Sequence, residues 1–183
     1  MAKTWTELES ETIRLRKPEP EDLEFLYSIE NNSNFWFVSD TKSPFSKWQL
    51  KQHIEHTVYD IYTNKELRLI IEDKTTKKPV GLADLFEFEP FHKRVGIGIM
   101  INEEDRKQGL AHESTQTIIN YCFNILEINQ IWCNIDSENH ASIKLFEKLG
   151  FTLSGVLKQW KIQKSKYKDV LFYQLLRKTK HLN

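Results

Sequence analysis

Val95, Ile97, Ile99 and Ile101 recur at every second residue, and after a short charged loop Leu110, Ser114, Thr117, Ile118, Cys122 and Ile125 recur at helical spacing. Period two is a strand with one buried face, and period 3.6 is a helix with one. A strand handing directly to such a helix calls for a sheet with the helix packed on it. The joint between them is Arg106-Lys107-Gln108-Gly109-Leu110-Ala111. Glycine lets the backbone approach a ligand closely, and the small Ala111 leaves that approach open. The first N–H groups of the helix lack helical acceptors and sit at the positive end of its dipole, so the joint is an anion site suited to a diphosphate. It contains neither G-x-G-x-x-G nor G-x-x-x-x-G-K-(S/T), which excludes the dinucleotide and P-loop fingerprints.

Upstream, residues 12–17 alternate as a strand closed by Pro18 and Pro20. Residues 19–30 read as a helix with Leu23, Leu26 and Tyr27 on its apolar side, broken by Asn31-Asn32-Ser33-Asn34. The trio Phe35-Trp36-Phe37 and a loop to Pro44 lead to a second helix over 46–62, carrying Trp48, Ile54, Val58 and Ile61. Strands follow at 67–72 and 80–88, and Pro90-Phe91-His92 turns the chain into the 94–101 strand. After the helix at 110–126 come a strand at 130–135 and a helix from Asn139 to Leu149-Gly150, where glycine suits the left-handed C′ position. A strand at 151–157 and a pair within 158–176, around Lys164-Ser165-Lys166, complete the chain. There is no repeat, low-complexity tract or linker. An antiparallel meander followed by a β-α-β crossover predicts a single domain over 1–183, of α/β (α+β) class. Its sheet is expected to be mixed, mostly antiparallel and twisted, with about seven strands flanked by about four helices.

At 183 residues the chain can bury a sizeable core. Lys plus Arg and Asp plus Glu number 26 each, so the net charge is zero. That argues against a general binder of nucleic acid or of anionic membrane. No apolar run approaches the ~20 residues that span a bilayer. The opening MAKTWTELESETIRLR lacks the apolar core of a secretory signal, so a cytoplasmic protein is expected. Cys122 and Cys133, without C-x-x-C spacing, read as buried free thiols. His53 and His56 share i, i+3 spacing, but no third ligand lies nearby and no metal site is expected.

The second patterned segment runs from Asn139 to Phe151 and fits N-x-x-(S/A)-x-x-(L/V/I)-(Y/F)-x-x-x-G-F. Its plain reading is a capped amphipathic helix with Ile143, Phe146 and Leu149 in the core. Together with R/Q-x-x-G-x-G/A at 106–111, it resembles the two hallmarks of the GNAT superfamily of N-acetyltransferases. Asn31-Asn32, Trp36-Phe37, Gly81-Leu82-Ala83-Asp84-Leu85 and Tyr167-Lys168-Asp169-Val170 are similar to the RimL-like branch, and in layout to bacterial spermidine N-acetyltransferases. The resemblance spans Ile13 to Leu176. It implies a GNAT fold, acetyl-CoA as co-substrate, and acetyl transfer to a primary amine, either a small molecule such as a polyamine or a peptide N-terminus. Many relatives are dimers, though nothing in the pattern demands a homodimer here.

By that resemblance the backbone N–H groups of Arg106, Lys107, Gln108, Gly109, Leu110 and Ala111 hold the CoA diphosphate. Ile99, Met100 and Ile101 would pair with the pantetheine arm as a strand does. Asn139 would bond the arm through its amide, Ser142 would contact the cofactor or the helix start, and Phe146 would pack near the thioester. Gly96 and Gly98 mark either a splay between the 94–101 and 130–135 strands or simple packing.

An alkyl ammonium has an ordinary pKa of ~10.4, so freeing its lone pair at pH 7 adds roughly 4 kcal/mol to the barrier unless a base or a desolvating site helps. Backbone donors near Met100 and Ile101 would stabilise the developing oxyanion. Asp84, Glu87 and Glu89 lie on or beside the 80–88 strand, and Asp84 and Glu87 have opposite parity. Glu87, at an acidic position of spermidine acetyltransferases, is expected as the base. Many GNAT enzymes place a tyrosine acid where this chain has Phe146, which cannot donate a proton; water or another donor must then protonate the thiolate. The family's acidic pair after Trp-Phe is replaced by Val38-Ser39, with Asp40 next, which weakens the case for a polyamine. A GNAT-fold module that holds CoA without turnover is the competing expectation.

Overall fold

The computed structural model describes residues 6–39, 41–56, 60–163 and 165–178. One sheet holds β1 (Ile13–Arg16), β2 (Leu67–Asp73), β3 (Pro79–Glu89), β4 (Arg94–Ile101), β5 (Gln130–Asp136), β6 (Thr152–Gln163) and β7 (Lys166–Leu176), in the order β1-β2-β3-β4-β5-β7-β6. β4 and β5 are parallel, and the other neighbours are antiparallel. The crossover between β4 and β5 is α5 (Leu110–Asn124), and α6 (His140–Lys148) joins β5 to β6. Helices α1 (Leu23–Glu30), α2 (Ser33–Ser39), α3 (Lys47–His56) and α4 (Ile61–Asn64) lie between β1 and β2.

Strand alternation splits the apolar side chains between two faces. Leu69, Ile71, Ala83, Leu85, Val95 and Ile97 join Ile118 and Cys122 of α5 and Phe146 of α6 in one core. Ile70 and Leu82, from the opposite face, pack with Leu26 and Ile29 of α1, Phe35 of α2, and Leu50 and Ile54 of α3. The sheet therefore separates an α5–α6 layer from an α1–α3 layer.

Local chemistry departs from the expected pattern in a few places. Asn31 to Asn34 end α1 as expected but start a new helix. The Asn32 side chain accepts from the Asn34 N–H at 3.0 Å, and α2 then buries Phe35. The single helix expected over 46–62 is two, because Asp60 caps α4 by accepting from the Thr63 N–H at 2.9 Å. Trp48 is 69% exposed rather than apolar-face, and Val58 lies outside the described residues. Ile125, expected on the buried face of α5, is exposed, since the N–H groups of Ile125 and Leu126 both turn onto the Tyr121 carbonyl and close the helix. β6 does not stop at Leu157; it continues to Gln163 through a bulge where Asp169 accepts from the Gln159 N–H at 2.8 Å. Gly150 takes the left-handed C′ position, with φ 89°.

Candidate active site

Register pairing between β4 and β5 runs Arg94–Gln130, Val95–Ile131 and Gly96–Trp132, and goes no further. Beyond that point the strands diverge and leave a cleft of about 80 Å³. Its walls include Ile97, Gly98 and Ile99 on β4, Asn134 and Asp136 on β5, and Asn139, Ser142 and Phe146 at α6. An unpaired parallel strand edge offers a row of amides to an extended ligand. The two glycines of β4 have different jobs. A Cβ on Gly96 would lie 2.4 Å from the Phe86 ring and 2.8 Å from Trp132, so this glycine serves packing at the vertex of the splay. Gly98 has only the edge of Phe86 within 4 Å and opens onto the cleft.

The loop from β4 to α5 makes one 3-10 turn (Glu103–Asp105) and then uses two left-handed residues, Lys107 at φ 65° and Gly109 at φ 84°. Around Gly109 nothing approaches within 4 Å of a would-be Cβ, so its surroundings are open. The first helical bond beyond the joint runs from the Glu113 N–H to the Gly109 carbonyl. The N–H groups before it therefore face outward at the positive end of α5. Arg106 does not face that space; its Nε donates to the Ile101 carbonyl at 3.2 Å and its guanidinium lies 5.1 Å from the Phe35 ring centroid. Asn34 of α2 also donates to Glu103, at 3.0 Å. The loop is thus braced from the α1–α3 layer. A larger groove of about 750 Å³ runs from Gly109 along α5, but Glu7, Glu9 and Glu113 line it. Carboxylates repel a phosphate, which leaves the loop backbone as the candidate anion site.

Asn139 caps α6: its side-chain oxygen accepts from the Ser142 N–H at 3.1 Å, which leaves the amide NH₂ to the cleft. Asp136 accepts from the Glu138 N–H at 2.7 Å through one oxygen, and its other oxygen is buried without a hydrogen bond among the described residues. Phe146 is 5% exposed and edge-on to Phe151. Met100 packs toward the α1–α3 layer and Ile101 is buried in the other core, so only Ile99 of that strand trio lines the cleft by its side chain. Asn134, Asp136 and Lys161 join the wall without having been singled out in the sequence. The Asx turn of Asp136 is the one signal that could have marked it.

Cys133 also lines the cleft, and both cysteines are buried and unbridged. Burial pushes the Cys122 thiol up to about 12 and holds Cys133 above the ordinary thiol range as well. Such thiols are poor nucleophiles, which favours direct attack on a thioester over a covalent enzyme intermediate.

Across the sheet, Asp84 pairs in register with Gly98 on one side and with Arg68 on the other. Arg68 clamps Asp84 with two bonds, 2.8 and 3.0 Å, and also donates to the buried Glu30. One guanidinium thus serves two carboxylates; burial works against its charge, but attraction and hydrogen bonds to Asp84 and Glu30 outweigh that and keep it ionised at any ordinary pH. Glu87 occupies a bulge between Phe86 and Glu89 at φ 49°, exposed and without an ion pair among the described residues. The bulge breaks the parity argument, for Leu85 and Phe88 end up in the same core. Val38, Ser39 and Asp40 lie outside the residues whose side chains are described.

Residues 12–152 match the family model described as "Acetyltransferase (GNAT) domain". The chain belongs to the GNAT acetyltransferase family. It is 28% identical over 174 residues to spermidine N(1)-acetyltransferase of Vibrio cholerae, covering 93% of this chain and 96% of that one. It is also 28% identical over 150 residues to the Escherichia coli K12 protein of that name, covering 80% and 76%. The crystal structure of the Vibrio cholerae enzyme in complex with CoA and spermine superposes with a TM-score of 0.80 at 28% identity, covering 90% of this chain and 95% of that one. The GNAT chain is therefore an N-acetyltransferase drawing its acetyl group from acetyl-CoA, and a CoA-holding module without turnover is not favoured. Among the described residues, no helix is long and apolar enough to cross a membrane.

Proposed function

We propose that this GNAT enzyme acetylates the primary amine of a small cationic molecule by direct attack on acetyl-CoA. The pantetheine arm lies along Ile97, Gly98 and Ile99, within reach of Asn139 and Ser142. The diphosphate rests on the backbone of Arg106 to Ala111, and the thioester reaches Phe146. The single observation that carries this is the β4–β5 splay ending at Gly96, with the left-handed Gly109 joint at its open end. The acceptor then meets the cleft from the α1–α3 side, where Asp84 stands opposite Gly98. Asp84 is engaged by Arg68, so Glu87 is the uncommitted carboxylate of β3 for drawing in the ammonium group.

Relatives that carry the name spermidine N(1)-acetyltransferase make polyamines the first acceptors to try. A carboxylate-lined approach favours a small cationic amine over a peptide N-terminus. Release of CoA thiol from acetyl-CoA, measured against polyamines, amino-acid amides and N-terminal peptides, tests the reading. Thiol release that depends on a small amine is expected, and none across such a panel would overturn it. The outer strands carry Leu153, Trp160, Ile162 and Tyr167 at 51–64% exposure. Pairing of two copies through them is the homodimer reading, and light scattering giving a monomer mass would remove it.

A further inference from the structure

Three rings on the sheet join neither of its cores: Phe86 on β3, Trp132 on β5 and Phe172 on β7. Phe86 and Asp84 share the parity of Leu82, which packs toward the α1–α3 layer, so both side chains stand on that face. Beside them on β4 lie Gly96 and Gly98, in register with Phe86 and Asp84. Over Gly96 the Trp132 ring meets Phe86 edge-on, centroids 5.1 Å apart at 88°, and it stacks on Phe172 at 5.5 Å and 29°. The space over Gly96 is therefore filled by rings. Over Gly98, one step along the same face, it is open: a Cβ there would have only the Phe86 edge within 4 Å, at 3.8 Å. The result is a hollow floored by Gly98, with Asp84 and Phe86 on one side and Asn134 with its register partner Phe172 on the other. Gly98 and Asn134 also line the β4–β5 cleft, so the hollow opens into it. Phe86 and Phe172 are half-buried and Asn134 is exposed, which leaves the rings within reach of an incoming molecule.

The two sides of the hollow differ in charge. On β3, Asp84 is held at both oxygens by Arg68, and Glu87 stands exposed in the bulge next to Phe86. On the far side stand Trp132, Phe172 and the neutral Asn134; Asp136, two residues further along β5, turns one oxygen back onto the Glu138 N–H at 2.7 Å. One ammonium group thus has carboxylates to meet, and whatever extends from it meets aromatic surface. We propose that the hollow seats the acceptor and selects a primary amine with an apolar body, alkyl or arylalkyl, over one that carries a second ammonium; the inference rests on the acetyl-CoA reading of the cleft. The amine nitrogen takes the Gly98 edge, beside Asp84 and Glu87. Its hydrocarbon part covers Phe86, Trp132 and Phe172, whose rings gain from apolar and flat neighbours. An aromatic face attracts a cation too, but only modestly, and stripping water from an ammonium with no carboxylate beside it costs more. A polyamine therefore fits this hollow less well than a monoamine of equal length.

The test compares kcat/KM for matched amines, read as release of CoA thiol, with acetyl-CoA affinity followed by calorimetry. Pentylamine and putrescine have equal length and differ at one end, a methyl group against an ammonium. Wild type should prefer pentylamine at least ~10-fold. From ethylamine to pentylamine, each methylene should raise kcat/KM about fourfold. Phe172→Ala should flatten that series, lowering the ratio of pentylamine to ethylamine by about tenfold. The wild-type pair decides the matter by itself if Phe172→Ala does not fold. Putrescine or spermidine used as well as pentylamine, or a series as steep in Phe172→Ala as in wild type, overturns the proposal and leaves the transferase reading standing. Acetyl-CoA binding without thiol release for any amine overturns that reading, and this proposal with it.

Discussion

Between β4 and β5 the site is made of backbone: a strand edge left unpaired after Gly96, a left-handed glycine at φ 84°, and the first amides of α5. Across β2 and β3 it is made of charged side chains, Arg68 shared between Glu30 and Asp84. A half built of backbone would tolerate wide variation in its side chains, because amide geometry rather than side-chain chemistry would do the proposed binding. The acceptor half changes its chemistry with each substitution.

The largest test of the contrast is Arg68→Leu. It would leave Glu30, only 5% exposed, without its counter-charge. Breaking one partner of a buried pair costs about 3–5 kcal/mol, so urea unfolding should show a loss of that size at unchanged m-value. A loss within surface-mutation range would mean that the acceptor half is solvated scenery and not its framework. Next is Gly109→Glu, which sets a carboxylate at the proposed diphosphate site and strains a φ of 84°. The strain costs ~1 kcal/mol of stability, whereas acetyl-CoA affinity should fall at least ~100-fold, about 2.7 kcal/mol. Unchanged affinity by calorimetry would show that the loop amides do not hold the cofactor.

The residues that the β4–β5 cleft brings together were legible in the sequence for a physical reason. They lie in two short continuous segments, and local rules govern each: period-two alternation, a glycine before a helix, and an Asn cap whose oxygen meets the Ser142 N–H at 3.1 Å. The sheet followed from the same rules, strand by strand. The acceptor half joins α1, β2 and β3, segments distant in sequence, and no local period announces that one Arg68 guanidinium meets both Asp84 and Glu30. The bulge at Glu87 was equally hidden, since alternation assumes a regular strand. Helix boundaries at 33–39 and 56–61 turned on single side-chain caps, Asn32 and Asp60, which pattern reading passes over.

Phe146→Tyr sharpens the comparison at the boundary of the halves. Phe146 lines the cleft and is buried against Phe151, so a phenol there would stand at the proposed position of the thioester sulfur. If proton delivery to sulfur limits turnover, kcat should rise roughly tenfold at unchanged acetyl-CoA affinity, toward the low end of general acid effects. An unchanged kcat would show that water already serves the thiolate, with a pKa of only ~8.5.

The smallest expected effect comes from a side-chain tie inside the backbone-built half. Glu113, in the first turn of α5, accepts from the Thr12 N–H at 2.8 Å, the Thr12 hydroxyl at 2.5 Å and the Ser10 hydroxyl, fastening the start of β1 to the joint. Burial pushes its carboxyl up, but these donors outweigh it and hold it below the ordinary range. A carboxyl lowered on folding stabilises the protein at neutral pH and loses that contribution as pH falls through its folded value. Glu113→Gln should therefore cost about 1–2 kcal/mol at pH 7. The gap in melting temperature from wild type should close as pH drops below ~4. A gap that stays constant from pH 7 to pH 3 would mean that the donors do not distinguish carboxylate from amide. The joint would then be held by its backbone alone, and the contrast between the two halves would be sharper still.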